Sequence, residues 1–126
     1  MNNPMHFSRL KIMIVDDSNV IRSRIARTVG NEHQIVGLAR NGQEAVELAR
    51  AQQPDMATLD LTMPEMDGID CVKELIKIKP DILVLVVSAL SDKATALQAI
   101  KHGAHGFLYK PFTDEQLLDA LQELTR

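Results

Sequence analysis

Residues 10–17 have the sequence LKIMIVDD, an apolar, β-branched run that ends on two acidic side chains. A continuous apolar run of this length, bounded by polar residues, is typical of a buried strand. Three further runs end in the same way, each on a single polar residue: Asp60 after residues 55–59, Ser88 after residues 82–87, and Lys110 after residues 107–109. The chain therefore repeats one pattern, a buried strand followed by a polar group where the next loop begins.

Predicted helices alternate with the strands along the whole chain. Ser18 can cap the first helix, and Thr113 with Gln116 forms a capping-box pattern for the last one. The predicted strands are residues 10–15, 34–39, 55–59, 82–87 and 105–109; the predicted helices run from the Ser18 cap to about Val29, over 43–52, over 69–78, from a Ser91 cap to Gly103, and from Thr113 to about Thr125, with a loop over 61–68. This alternation of strands and helices predicts one parallel sheet with helices on both faces.

Length, charge and cysteine content limit the classes of function. The chain has 126 residues, and we expect a loose leader over residues 1–8 and one domain over residues 9–126. Its formal net charge of −3 gives no electrostatic support for binding nucleic acid or an anionic membrane. The single cysteine, Cys71, excludes an internal disulfide and is expected to be a small buried apolar group. With no membrane-length apolar run and no signal-peptide pattern, a cytoplasmic protein is predicted.

Five polar side chains are expected to meet at one edge of the predicted sheet. The carboxyl ends of parallel strands lie at the same edge, and ligands of open α/β sheets bind there. Clustered carboxylates repel one another and raise each other's pKa unless a cation lies among them. The sequence therefore predicts a divalent-metal site beside a reactive carboxylate, built from Asp16, Asp17, Asp60, Ser88 and Lys110.

These residues belong to motifs that stand in a familiar order and spacing. The motifs are Asp16-Asp17, the segment LDLTMPEMDG at residues 59–68, Ser88-Ala89, and Lys110-Pro111-Phe112. With them the chain, from about Leu10 to Leu124, resembles the response-regulator receiver domain of bacterial two-component signalling, and especially single-domain chemotaxis regulators. The resemblance implies a flavodoxin-like (βα)5 fold, a doubly wound sheet of five parallel strands in the order 2-1-3-4-5.

The resemblance also implies a role for each motif residue. Asp60 is the expected phospho-acceptor, which attacks the phosphorus of a phosphohistidine on a histidine kinase or histidine phosphotransfer protein. Asp17, Asp60 and the backbone carbonyl of Thr62 are the expected direct Mg²⁺ ligands, and Asp16 acts mostly through metal-bound water. Lys110 neutralises phosphoryl charge, and Ser88 hydrogen-bonds a phosphoryl oxygen.

Two positions depart from the commonest pattern of the family. The switch aromatic three residues before the lysine is often tyrosine but here is Phe107, and Ser88 replaces an equally familiar threonine. Without a hydroxyl at Phe107, switching by Ser88 and Phe107 must rest on packing. By alternation Tyr109 shares a face with Phe107, so it is expected on the surface of the fourth helix, fifth strand and fifth helix, where a downstream protein binds.

Other polar side chains have plainer interpretations. The basic run Arg22, Arg24 and Arg27 on the first helix is usually a solvated face. Because the start of this helix lies near the kinase-docking surface in the family, the resemblance makes Val20, Ile21, Arg24, Pro111 and Phe112 weak docking candidates.

The leading hypothesis is a stand-alone signalling switch that acts in chemotaxis, a monomer or weak dimer that promotes only its own phosphorylation and dephosphorylation. A phosphorelay intermediate or an adaptor for another pathway stays open. An aspartyl-phosphate phosphatase of the haloacid-dehalogenase type is disfavoured, because that family has a second Asp two residues after its nucleophile and here Thr62 stands there. A nucleotide-binding flavodoxin-like domain is disfavoured because Asp16-Asp17, not a glycine-rich loop, follow the first strand.

Overall fold

The computed structural model describes residues 9–62 and 67–125. Strands and helices alternate along this part of the chain. In order they are β1 (Lys11–Val15), α1 (Asn19–Val29), β2 (Gln34–Ala39), α2 (Gly42–Gln52), β3 (Met56–Asp60), α3 (Gly68–Ile78), β4 (Leu83–Ala89), a short 3-10 turn (Leu90–Asp92), α4 (Lys93–Lys101), β5 (Gly106–Lys110) and α5 (Asp114–Leu124). The predicted leader over residues 1–8, and residues 63–66 of the predicted loop, lie outside the described residues.

The strands form one sheet in the order β2-β1-β3-β4-β5, and every neighbouring pair is parallel. The flavodoxin-like doubly wound fold is therefore confirmed. From β1 the chain first moves outward to β2 and then returns past β1 to β3, β4 and β5, so the direction of winding reverses between β1 and β3. This switch point is where open α/β sheets form a crevice beyond their strand ends.

Each face of the sheet carries its own apolar core. One core joins alternate residues of the central strands to α2, α3 and α4, and includes Met13, Leu59, Val86, Cys71 and Leu75. The other core joins the remaining strand residues to α1 and α5, and includes Ile12, Met56, Val87, Ile25 and Leu117. The prediction for Cys71 is confirmed, since the thiol is fully buried and burial raises its pKa to about 12.

Side-chain hydrogen bonds cap the N-termini of α1 and α5 as predicted. Ser18 accepts a hydrogen bond from the N–H of Ile21 at the start of α1. Thr113 and Gln116 form a reciprocal capping box at the start of α5. Asp67 caps α3 by accepting from the N–H of Ile69, so Gly68 already belongs to the helix rather than to the loop.

The predicted Ser91 cap is wrong. The chain makes a 3-10 turn over Leu90–Asp92 before α4 starts, so Ser91 lies inside that turn. Asp92 takes the N-cap position without a side-chain capping bond, and the helix ends at Lys101 rather than at Gly103. Gly103 follows with a φ of 118°, a backbone conformation that glycine adopts most readily.

The strands also extend further toward their carboxyl ends than their apolar runs do. β3 includes Asp60, β4 continues through Ser88 to Ala89, and β5 includes Lys110, because parallel backbone pairing continues past the last apolar residue. The polar residues thus lie on the ends of the strands and are held by the sheet. Among the described residues, no helix combines the length and apolar character that crossing a membrane requires.

Candidate metal centre at the carboxyl edge of the sheet

Three carboxylates converge where β1 and β3 end. Asp16 directly follows β1, and its N–H donates to the carbonyl of Ala39 at 3.0 Å. Asp16, Asp17 and Asp60 each offer a carboxylate oxygen, and these oxygens lie within 4.8 Å of one another. Asp16 and Asp60 are each only 1% exposed, whereas Asp17 is exposed. The cluster is therefore a buried carboxylate pair with a third carboxylate at its solvent side.

One oxygen of each buried carboxylate is held by local hydrogen bonds. Asp16 Oδ1 accepts from the N–H of Ser18 at 2.8 Å. Asp60 Oδ1 accepts from the N–H of Thr62 at 3.0 Å and from its hydroxyl at 2.8 Å. The second oxygens, both Oδ2, accept no hydrogen bond of good geometry from the described residues. The anchoring of Oδ1 thus leaves Oδ2 of each residue free to meet a cation or a reactant.

Lys110 is the cation of this cluster. Its ammonium lies 3.1 Å from Asp16 Oδ2 and 3.5 Å from Asp60 Oδ2. Partial burial acts to lower the pKa of Lys110, but Asp60 and Asp16 outweigh burial and the pKa is raised. The lysine therefore carries its full charge at neutral pH and bridges the two buried carboxylates.

The negative charge in the cluster still exceeds the positive charge. Burial raises the pKa of Asp16, and the neighbouring carboxylate of Asp60 raises it further, against the lowering effects of the Ser18 N–H and of Lys110. Three carboxylates face one ammonium, and their oxygens are the hard ligands that Mg²⁺ prefers. The residues present therefore fit a divalent cation of this kind.

Arg22 supports the site in a way that the sequence interpretation missed. It was expected on a solvated face, but it is only 8% exposed. Its Nη1 donates to the backbone carbonyl of Asp16 at 2.5 Å, and its Nη2 donates to Asn19 Oδ1 at 3.3 Å. The interpretation was wrong because the carbonyl of Asp16, turned toward α1, needs a donor. Helical spacing with Ile25 and Val29, which share its face, was the signal that could have found it.

Arg24 is also not a free surface cation. Its Nη2 donates to the carbonyl of Phe112 at 2.5 Å, its Nε lies 3.3 Å from Asp114 Oδ1, and its guanidinium lies 4.8 Å from the centre of the Phe112 ring. Phe112 itself is buried. Of the proposed docking residues, Val20 is 74% exposed and Pro111 is exposed, so these two remain accessible while Arg24 joins α1 to the start of α5.

The remaining predicted site residues lie along β3, β4 and β5. Ser88 is fully buried, and its hydroxyl has no hydrogen-bond partner within the described part of the chain. Thr62 is exposed beside Asp60. Phe107 is 37% exposed, and its ring centre lies 5.1 Å from that of Tyr109. The structure thus places Ser88 near the carboxyl end of β4, and Phe107 and Tyr109 on the edge strand β5.

Comparison with known proteins assigns the chain to a family. The five-stranded parallel sheet and the carboxylate cluster at its carboxyl end define a receiver-type α/β domain. The family model for the response regulator receiver domain matches residues 12–122. The chain belongs to the response regulator receiver family. It is 38% identical over 117 residues to the chemotaxis protein CheY of Thermotoga maritima, and the match covers 92% of this chain and 98% of that protein.

Two solved structures show the same fold. A chain of the CheX–CheY–BeF3–Mg²⁺ complex from Borrelia burgdorferi matches with a TM-score of 0.88 and 27% identity, over 94% of this chain and 91% of that chain. A response regulator of Burkholderia pseudomallei, with a phosphorylated aspartic acid, a calcium ion and citrate, matches with a TM-score of 0.82 and 33% identity, over 92% of this chain and 68% of that chain. The predicted family and fold are confirmed, and the relatives point to a signalling switch of two-component systems.

Proposed function

We propose that this chain is a stand-alone response regulator for chemotaxis. Asp60 accepts a phosphoryl group from a histidine kinase or a histidine phosphotransfer protein in a Mg²⁺-dependent reaction, and the modified protein changes its affinity for a downstream protein. The observation that carries the proposal is the shared environment of the two Oδ2 atoms of Asp16 and Asp60, which Lys110 approaches to 3.1 and 3.5 Å. The protein is proposed to act in the cytoplasm, as a monomer or weak dimer whose receiver domain begins at about residue 9.

Asp60 Oδ2 is the proposed nucleophile. Because Oδ1 is held by Thr62, the carboxylate presents Oδ2 toward the ammonium of Lys110. Oδ2 forms a bond to phosphorus while the phosphorus–nitrogen bond of the phosphohistidine breaks, and the electron pair returns to the imidazole ring. The product is an aspartyl phosphate, and no external oxidant or reductant is needed. Such a transfer depends on positioning and charge neutralisation rather than on further covalent chemistry.

Asp17, Asp60 and the backbone carbonyl of Thr62 are the proposed direct ligands of Mg²⁺, with Asp16 acting through bound water. When bound, the ion supplies the positive charge that lets an anionic phosphoryl donor approach the carboxylates. Asp17 suits a direct ligand because it is exposed and has no assigned hydrogen bond to restrain it among the described residues. Asp16 is instead buried and already held by Ser18 and Lys110.

Lys110 and Ser88 are proposed to contact the phosphoryl group once Asp60 carries it. The Lys110 ammonium already lies beside Asp60, so it can pair with a phosphoryl oxygen without a long movement. The Ser88 hydroxyl is buried and has no partner among the residues that the structure describes, and a new anion at the carboxyl ends of the strands would offer it an acceptor. Both residues lie on strands whose loops lead to α4 and α5.

The proposed output surface is the face formed by α4, β5 and α5. Two large apolar side chains are exposed in these elements, Leu97 at 49% and Phe107 at 37%. If Ser88 moves toward the phosphoryl group, the space behind the β4–α4 segment changes and Phe107 can turn inward. The Borrelia complex contains CheX and CheY together with BeF3 and Mg²⁺, which supports the proposal that this chain binds a partner protein.

The decisive experiment is intact-mass analysis after incubation with a small phosphodonor and Mg²⁺. The proposal expects the addition of one phosphoryl group, which excess chelator and the Asp60→Asn substitution each prevent. Full labelling in chelator contradicts the metal requirement, and labelling of the Asp60→Asn protein contradicts the site. A pull-down of the phosphorylated protein, with flagellar switch protein and histidine phosphotransfer proteins as baits, separates a chemotaxis regulator from a phosphorelay intermediate or another adaptor.

A further inference from the structure

Tyr109 carries a buried hydroxyl that has no hydrogen-bond partner among the residues that the structure describes. The hydroxyl oxygen has lost contact with water, and within the described ranges it gains no protein partner in exchange. A buried unpaired hydroxyl lowers stability relative to phenylalanine, which would fill nearly the same space. The arrangement is explained if the hydroxyl has a partner in another state of the protein.

The neighbour of Tyr109 across the sheet is Ser88. The two residues are register partners on β5 and β4, so their side chains stand on the same face of the sheet. The Ser88 hydroxyl is also buried and has no partner within the described ranges. Ser88 directly follows Val87, which is the register partner of Asp60 on β3. Among the described residues, two unpaired hydroxyls therefore lie on β4, the strand next to β3 and Asp60, and on β5, one strand further out.

A serine hydroxyl can serve a phosphoryl group and a phenol at the same time, because it has one donor hydrogen and two acceptor lone pairs. Once Ser88 donates to a phosphoryl oxygen, its own oxygen becomes a stronger acceptor. We propose that phosphorylation of Asp60 creates a hydrogen bond from the Tyr109 hydroxyl to Ser88 Oγ. This inference rests on the proposed function of Asp60 and Ser88.

The proposed bond gives the signal a route from the site to the surface. The Tyr109 ring lies 5.1 Å, centre to centre, from the half-exposed ring of Phe107, at an interplanar angle of 44°. A phenol that turns toward Ser88 must change its contact with that ring, and Phe107 is exposed on the same strand. Tyr109 is thus a positioning residue, which acts through Ser88 and does not touch the reacting atoms.

The Tyr109→Phe substitution removes only the hydroxyl, and beryllofluoride with Mg²⁺ is the probe of the activated state. A hydrogen bond that forms only in the bound state raises beryllofluoride affinity, so its loss should weaken that affinity by about fivefold or more. The affinity for Mg²⁺ alone should not change. In a Ser88→Ala background the same substitution should have no further effect, because the acceptor is already gone.

Thr58→Val is the matched control. Thr58 also has a buried hydroxyl without a partner among the described residues, but it lies within β3, on a different strand from Ser88 and Tyr109. Its substitution should leave beryllofluoride affinity unchanged. A purely structural role of the Tyr109 hydroxyl would leave the affinity unchanged in both variants, and that result overturns the proposal.

A spectroscopic measurement gives a second readout. Tyr109 is the only tyrosine of the chain, so tyrosine labelled at the ring carbon that bears the hydroxyl yields one nuclear magnetic resonance signal. This signal should shift when beryllofluoride is added to the Mg²⁺-loaded protein, and the shift should be lost in Ser88→Ala. An unchanged signal in a protein that binds beryllofluoride through Asp60 overturns the Tyr109 bond alone. Equal beryllofluoride binding by wild type and Asp60→Asn overturns the proposed function and this inference together.

Discussion

The guanidinium of Arg22 donates a hydrogen bond to the backbone carbonyl of Asp16, so a helix side chain fixes the turn that carries two of the three clustered carboxylates. Arg22 is 8% exposed and makes a second bond to Asn19. Because the guanidinium donates to the backbone carbonyl of Asp16, it does not form an ion pair with the carboxylate of that residue. The site thus gains rigidity from Arg22 without losing negative charge to a direct ion pair.

Replacing Arg22 with Met should loosen that turn. The substitution keeps an apolar stem but leaves the buried carbonyl of Asp16 without its donor, at a cost of roughly 1–3 kcal/mol in the free energy of unfolding. Mg²⁺ affinity should fall as well, because Asp16 and Asp17 lose their fixed geometry. Urea unfolding and titration calorimetry measure the two effects. The control is Arg27→Met on the exposed side of the same helix, which should change stability by less than about 0.5 kcal/mol.

The two acidic residues after β1 should contribute unequally to Mg²⁺ binding. Asp17 is exposed and free to be a direct ligand, whereas Asp16 is buried and held by Ser18 and Lys110. We expect Asp17→Ala to lower Mg²⁺ affinity more than Asp16→Ala does, since a direct ligand matters more than one that acts through water. Titration calorimetry on both variants decides the point, and equal losses contradict the division of roles.

The charge of Asp16 should cost stability when no metal is bound. Burial raises the pKa of Asp16 above its ordinary value of 3.8, so the folded state holds the proton more tightly than the unfolded state does. As the pH rises from 3.8 through the raised pKa, this carboxyl therefore lowers the free energy of unfolding. Asp16→Asn removes the charge and can keep the bond from Ser18, so it should stabilise the metal-free protein at neutral pH by roughly 0.5–2 kcal/mol.

Thermal unfolding with and without Mg²⁺ tests the Asp16→Asn prediction. The variant should unfold at a higher temperature than the wild type in chelator, and it should gain less from added Mg²⁺, because stabilisation by a ligand follows its affinity for the folded state. Asp17→Asn is the control for general charge effects, since its exposed carboxylate carries little desolvation cost. A lower unfolding temperature for Asp16→Asn in chelator means that its pairing with Lys110 outweighs the cost of burial.

Much of the fold could be predicted because buried parallel strands appear in a sequence as continuous apolar runs. The run before Asp16 and the run before Ser88 occupy central strands and are buried on both faces. The meeting of Asp16, Asp60 and Lys110 followed from the same pattern, since the ends of parallel strands share an edge. The strand order itself came from the family resemblance, because apolar periodicity does not distinguish one parallel order from another.

The features that the sequence did not predict depend on three-dimensional contacts. The burial of Arg22 requires the carbonyl of Asp16 as its partner, and composition alone gives a basic helix face. The failure of the Ser91 cap depends on the 3-10 turn that delays the start of α4. The Tyr109 hydroxyl has no partner in the described part of the chain, and this could be recognised only from the atoms around it.

Lys110 should be needed more for output than for phosphorylation. Its ammonium lies between the carboxylates and is followed at once by Pro111, so a changed pairing of the lysine can move the β5–α5 loop. Lys110→Ala should still accept a phosphoryl group but bind the downstream protein more weakly after phosphorylation. The measurement compares partner affinity of the phosphorylated variant and phosphorylated wild type. Unchanged affinity removes Lys110 from the switch.

The side chain of Phe107 should change position when Asp60 is modified. Complete burial of a fully exposed phenylalanine is worth roughly 1.5–3 kcal/mol, and Phe107 is 37% exposed, so burying its remaining surface is worth about a third of that, roughly 0.5–1 kcal/mol. A gain of this size shifts a two-state equilibrium without locking it, and we therefore expect the unphosphorylated protein to sample the active state. A beryllofluoride-bound structure compared with the unmodified one tests this directly: Phe107 should turn inward, and the segment over residues 89–91 should move with Ser88. One Phe107 rotamer in both states, with an unmoved segment, contradicts a switch driven by packing. The Phe107→Ala variant then supplies the energetic test, since it should bind beryllofluoride yet show a smaller difference in partner affinity between its two states.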